Sequence, residues 1–170
     1  WWENVLHTSG GKLELSKCFY SLLHWVFNEE GEPRIATKAK LDTEIEIYCS
    51  DTKTTSKINH KDCSEAHKTL GAMESPSMNY EEEGERLLRK CQEFASKLGN
   101  KRLQPSDFKD IHYRLYVPSV GYSLPTTQFT SKELSTIQSP ATNAFLSSFG
   151  YSRKTPREVV FGPAEAGGVG

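Results

Sequence analysis

The chain has 170 residues, of which 36% are hydrophobic and 11% aromatic, with a mean hydropathy of −0.60. That length suits one ordinary domain or two small subdomains on a thin apolar supply, and the aromatic content argues against disorder. A net charge of −1 excludes a whole-chain field that would draw in nucleic acid, and no apolar run approaches the ~20 residues of a membrane helix.

No secretory leader is visible. The four cysteines (Cys18, Cys49, Cys63 and Cys91) form no Cys-x-x-Cys pair, so free thiols in a reducing compartment are expected. Trp1-Trp2 at one end and Gly167-Gly168-Val169-Gly170 at the other read as cuts inside a longer protein.

Residues 1–9 read as the end of a helix, with Trp2, Val5 and Leu6 on one face and Ser9-Gly10-Gly11 as its stop. From Lys12 the period changes to alternation, and 12–27 is expected to hold one or two strands. Asn28 to Pro33 is a turn, with a short return strand at 34–37. Glu44-Ile45-Glu46-Ile47-Tyr48 alternates strictly, so a second hairpin is expected, with Ser50 to Lys53 as its turn and Thr54 to Ile58 as its return. His67-Lys68-Thr69-Leu70-Gly71-Ala72 closes this extended half with a Leu-Gly turn.

The period then becomes helical. A helix is predicted from about Tyr80 to Leu98, with Leu87, Leu88, Cys91, Phe94, Ala95 and Leu98 in one stripe. Glu81, Glu82 and Glu83 in its first turn and Lys97 in its last suit the helix dipole. Pro105 is expected to open another helix, burying Phe108, Ile111, Leu115 and Tyr116. Pro118 and Pro125 bracket a linker containing Tyr122 and Leu124. Thr130-Ser131-Lys132-Glu133 fits a capping box for a helix carrying Leu134, Ile137, Ala141, Phe145 and Phe149, which Pro140 should kink or split and Gly150 should close. Thr155-Pro156-Arg157-Glu158 could cap one more short helix. The fold class is therefore α+β: β-hairpins in residues 1–72, then a small helical bundle in 73–170.

Several segments in this order resemble the reverse transcriptases of eukaryotic retrotransposons, downstream of the catalytic Tyr-x-Asp-Asp turn. They are residues 2–25 (WENVLHTSGGKLELSKCFYSLLHW), 67–72 (HKTLGA), 116–146 (YVPSVGYSLPTTQFTSKELSTIQSPATNAFL) and 150–170 (GYSRKTPREVVFGPAEAGGVG). The resemblance implies the end of a polymerase palm in 1–72, a primer-grip turn at 67–72, and a thumb in 73–170.

It also implies roles for individual residues. Lys17, with Lys12 as the alternative, would lie near the incoming nucleotide and protonate the leaving pyrophosphate; the plain reading is a surface lysine at a strand end. Leu70 and Gly71 would shape the primer grip, where glycine lets backbone approach a phosphate. His67 and Lys68 would add phosphate contacts. Lys90, Lys97, Lys101 and Arg102 form one basic group along the thumb, and Arg153, Lys154 and Arg157 a second; sequence-independent binding needs such contacts, although each cluster alone reads as a solvated face. The partners implied are an RNA or DNA template–primer duplex and the rest of the polymerase polyprotein, inside the cell and without a membrane. Two magnesium ions would serve the parent reaction on aspartates upstream of residue 1. No cofactor is expected in this chain, which would be inactive alone.

His60-x2-Cys63-x3-His67 has metal-like spacing but no evident fourth ligand, and reads as coincidence. No Gly-x-Ser-x-Gly elbow, Walker loop or Gly-x-Gly-x-x-Gly is present, and no two aspartates are adjacent. The other reading is a non-enzymatic protein-interaction module derived from a decayed or domesticated retroelement, which the near-neutral charge favours.

Overall fold

Turn chemistry divides the first half into strands β1 (Phe19–Tyr20), β2 (Trp25–Phe27), β3 (Pro33–Ile35), β4 (Glu46–Cys49), β5 (Thr54–Lys57), β6 (Asn59–His60), β7 (His67–Thr69) and β8 (Ala72–Glu74). The structure is a computed structural model and describes residues 5–6, 8–11, 14–37, 43–49, 53–99, 101–104, 107, 110–166 and 168. The helical half contains α1 (Glu81–Leu98), a π-helix (Asp110–Tyr116) running into α2 (Val117–Gly121), α3 (Ser131–Ser148) and α4 (Arg157–Val160). The fold is thus mixed α+β.

Among the described residues the strands form four two-stranded pairs: β1 with β6, β2 with β3, β4 with β5, and β7 with β8. The first two expected hairpins form. Trp25 faces Ile35 and Phe27 faces Pro33 across antiparallel β2–β3, and Asn28 closes the turn by accepting from the Glu32 amide at 2.7 Å. In antiparallel β4–β5, Ile47 and Cys49 turn inward while Glu46 and Tyr48 are exposed, as strict alternation requires. Parallel pairing of β1 with β6, Phe19 opposite Asn59, brings together segments some forty residues apart. No local pattern encodes that pairing.

Lys12 and Leu13 lie outside the described residues, as do Trp2, Pro105 and Phe108. Where strand was expected to continue, Leu15–Lys17 forms a 3-10 turn instead. Ser16 donates to the Glu14 carboxylate at 2.7 Å, and the Cys18 amide donates to the Leu15 carbonyl at 3.1 Å. These short-range bonds outcompete an extended ladder.

In the helical half, α1 buries Leu87, Cys91 and Leu98, as its stripe predicts. The capping box at α3 is formed: the Thr130 hydroxyl accepts from the Glu133 amide at 3.3 Å, and the Glu133 carboxylate accepts from the Thr130 amide at 2.7 Å. Pro140 does not split α3, which runs unbroken from Ser131 to Ser148 and buries Ile137, Ala141, Phe145 and Leu146. Its end is a Schellman closure. Gly150, at φ +75°, lets Tyr151 donate to the Leu146 carbonyl at 2.9 Å.

Two expectations fail between α1 and α3. Leu115 is 59% exposed, whereas Tyr116 is buried as expected. The stretch is a π-helix, whose wider turn changes which residues share a face from the pattern an α-helix would give. The proline-bracketed linker is itself helical, with Pro118 in the first turn of α2 and Pro125 in a 3-10 turn, Leu124–Thr126.

The chain divides into two compact units. One comprises Trp1–His67 with Ser75–Asn79; the other comprises Lys68–Glu74 with Tyr80–Gly170. The Leu-Gly turn therefore belongs to the helical unit, and the boundary drawn at 72/73 falls within β8. The core of the helical unit gathers α1 and α3 with Tyr116, Val120 and Val160.

Candidate nucleic-acid interface

The Leu-Gly turn is a tight hairpin connection between β7 and β8, with both central residues at positive φ: Leu70 at +48° and Gly71 at +98°. Two-residue hairpins favour this geometry because it follows the strand twist. At Gly71 the freedom is needed twice, since a Cβ would also stand 3.4 Å from the Tyr122 ring. Leu70 is 88% exposed at the tip. A leucine in the left-handed region without burial is strained, and Asn-Gly is the favoured pair in such turns. Leu70→Asn is accordingly expected to stabilise the chain by about 0.5–1 kcal/mol, read from the urea midpoint.

A buried ion pair holds this hairpin to the helices. Glu83, fully buried in the first turn of α1, accepts from the Met73 amide at 2.8 Å and from Arg86 at 2.7 and 2.5 Å. Arg86 also reaches the buried Ser123 hydroxyl at 3.5 Å. Burial pushes the Glu83 carboxyl up, but Arg86, Ser123 and the Met73 amide outweigh it and hold the group below its ordinary value. Glu83 was expected only to complement the helix dipole. The signal within reach was its spacing: Arg86 stands at i+3, and Leu87, fully buried, at i+4.

Lys90 lies one turn further along α1 and donates to the Ser119 carbonyl at 2.8 Å. Burial, then the positive charges of Arg86 and Lys68, pull its ammonium below the usual lysine value. The structure therefore brings Lys68, Leu70, Gly71 and Lys90 together with Arg86 and Tyr122. The last two come from elements that hold no part of the HKTLGA segment.

The remaining candidates are elsewhere. Lys17 is exposed on its 3-10 turn. His67 packs edge-on against Phe19, ring centroids 4.3 Å apart. Helices α1 and α3 run side by side in the same direction. Gly84 meets Phe129 and Ile137 near their starts, and Leu103 bonds the Ser148 carbonyl at 3.2 Å near their ends. Lys97, Lys101, Arg102, Arg153 and Lys154 thus sit at or just beyond two helix C-termini, whose dipoles favour cations. Arg157 opens α4 and is exposed.

The His-Cys-His spacing resolves into separate contacts. His60 stacks on Tyr20 at 4.7 Å, His67 meets Phe19, and the Cys63 thiol donates to the Leu22 carbonyl at 3.1 Å. Among the described residues no group of three or more His, Cys, Asp or Glu side chains could hold a metal ion. Each described aspartate has a partner of its own: Asp62 accepts from Ser64, Asp107 from the Gln104 amide, and Asp110 pairs with Arg114.

His112 is a titratable group that the sequence reading passed over. It stacks on Tyr116 and meets Phe145 edge-on, ring centroids 5.5 and 5.2 Å away. Burial pulls its pKa below the ordinary 6.5. The unfolded chain therefore takes up a proton first. The stability His112 contributes is complete above about pH 6.5 and falls as pH drops from there through the folded value. The urea midpoint should decline over that interval, and His112→Phe should flatten the decline.

Compared with family models, with curated proteins and with solved structures, the chain finds no match. Among the described residues no helix is long and apolar enough to cross a membrane.

Proposed function

We propose that this chain is the part of a retrotransposon-type reverse transcriptase that grips the template–primer duplex, and that the HKTLGA hairpin is its point of contact with a backbone phosphate. The observation that carries the reading is the convergence of Lys68 and Lys90, with Arg86 close by, beside the exposed Leu70-Gly71 turn. Glu83 already neutralises Arg86, so the like charges left beside the turn are Lys68 and Lys90, and an anion placed between them would relieve their repulsion. Backbone phosphates suit such a site because ammonium groups position a duplex without reading its bases.

The chain supplies grip and no chemistry of its own. RNA-templated DNA synthesis, with its two magnesium ions and the aspartates that hold them, belongs to the parent polyprotein, which would act in the cytoplasm or nucleus. Lys17 would serve the leaving pyrophosphate there.

Duplex affinity measured against salt concentration tests the grip. Each phosphate contact contributes about 0.9 to the slope of log affinity against log salt. Lys68→Ala/Lys90→Ala should reduce that slope by about 2 and weaken binding to all sequences alike. A flat salt response in the unaltered chain would overturn the reading.

A further inference from the structure

The β2–β3 hairpin presents an apolar face that the fold of its own unit leaves in water. Trp25 is 55% exposed and Phe27 70% exposed. They are two residues apart on one strand, so they share a face. Opposite them on β3 stand Ile35 and Pro33, and Pro33 is also exposed. Two rings on one strand with Ile35 and Pro33 across from them make a continuous surface, and exposed apolar patches of this kind mark contact sites.

Among the described residues, the turn end of this face carries charge of one sign. The turn that ends it carries Glu29, Glu30 and Glu32, all exposed. The one basic residue between positions 25 and 35 is Arg34, which faces Val26 across the ribbon and so lies on the opposite side. It is also 3.6 Å from the Glu32 carboxylate. A nucleic-acid backbone would be repelled at this end. A cationic segment would be attracted.

Backbone is available as well. Among the described residues β2 and β3 pair only with each other, so each strand has an outer edge without a ladder partner. An extended peptide can join such an edge, its main chain completing the ladder and its alternate side chains lying on the aromatic face.

We propose that the β2–β3 hairpin is a docking site for a basic, aliphatic-bearing peptide segment of another protein, bound in extended form. Aliphatic side chains of the peptide cover Trp25, Phe27 and Pro33, while its lysines or arginines face Glu29 and Glu30. This site is independent of the Lys68–Lys90 grip.

The probe is a synthetic peptide alternating lysine and leucine, fluorescein-labelled, titrated with the full chain and followed by anisotropy. A peptide alternating glutamate and leucine is the control. The expected result is saturable binding of the lysine peptide, weakened by added salt, and weaker binding of the control. Trp25→Ser/Phe27→Ser should cost about tenfold in affinity, the loss expected of anchor aromatics. Both side chains are largely exposed, so the thermal midpoint of this variant should hold. Glu29→Lys/Glu30→Lys, which leaves the apolar face intact, should reverse the preference between the two peptides. Unchanged affinity in the aromatic variant, or an unchanged preference in the charge variant, would overturn the proposal. So would a concentration-dependent dimer that the aromatic variant abolishes, because the occupant would then be a second copy. An equal loss of duplex affinity in the aromatic variant would overturn it too, because the face would then serve nucleic acid.

Discussion

Arg86→Ala is expected to lower the stability of the helical unit by about 3–5 kcal/mol. The reason lies in what remains. Glu83 keeps 0% of its side chain exposed, so removing the guanidinium leaves a buried carboxylate with the Met73 amide and the Ser123 hydroxyl alone. The cost is that of an uncompensated charge, larger than the net worth of the pair. Glu83→Gln/Arg86→Met should therefore recover most of the loss, because neither half of the ion pair is then left alone. Acid separates these variants further. In the unaltered chain the Glu83 carboxyl lies below its ordinary 4.5, so its contribution is present above about pH 4.5 and lost as pH falls through the folded value. Without Arg86, burial dominates and the folded carboxyl rises. Arg86→Ala should then regain stability on mild acidification, where the unaltered chain gains nothing from Glu83. Urea midpoints at neutral and mildly acidic pH give the two slopes. The Met73 amide, which fixes β8, then rests on a carboxylate that has lost its counter-charge, so the hairpin loosens and the salt slope of duplex binding should fall in step.

Elements whose determinants lie within one or two turns of chain were legible before the structure. Thr130 and Glu133 specify a helix start by themselves, and Leu87, Cys91 and Leu98 mark one face of α1 without reference to any partner. Asn28 and Gly31 specify a turn in the same way, since the bonds that close it stay within five residues. The π-helix was not legible, because a change from four-residue to five-residue bonding leaves no compositional mark, and Leu115 and Tyr116 are both plausible core residues. Parallel pairing of β1 with β6 was hidden for a different reason: it depends on tertiary placement. At the candidate interface the same division holds. Gly71 announced a turn needing positive φ, and Lys68 came with it. Tyr122, Arg86 and the buried Glu83 did not, because their contacts cross between elements. A charged residue in a first helical turn is ordinarily a surface residue, and only the Met73 amide above it shows that Glu83 is not.

Phe145→Ala is expected to cost about 3–5 kcal/mol, an effect comparable with loss of Arg86 but of different physical origin. Phe145 is 2% exposed on α3, and its ring meets Tyr116 edge-on at 5.5 Å and His112 at 5.2 Å. Truncation removes the transfer energy of the ring and leaves a cavity between α3 and the π-helix. Collapse into that space would lower the cost, but the neighbours are held. Tyr116 is fixed by a contact of its hydroxyl with the Cys91 thiol at 3.5 Å and by the Phe94 ring, and Ala141 offers nothing to fill the gap. The value should therefore fall in the upper part of the range. Two further readings separate this variant from Arg86→Ala. Water reaching the cavity relieves the burial of His112, so the decline in stability below about pH 6.5 should shrink. The Glu83–Arg86 pair stays intact, so the hairpin keeps its mount. Duplex binding by the folded fraction should then retain its full salt slope, whereas Arg86→Ala loses slope and stability together. A variant that loses more stability than slope, and another that loses both, would show that the phosphate site is carried by the ion pair under β8 rather than by the aromatic core.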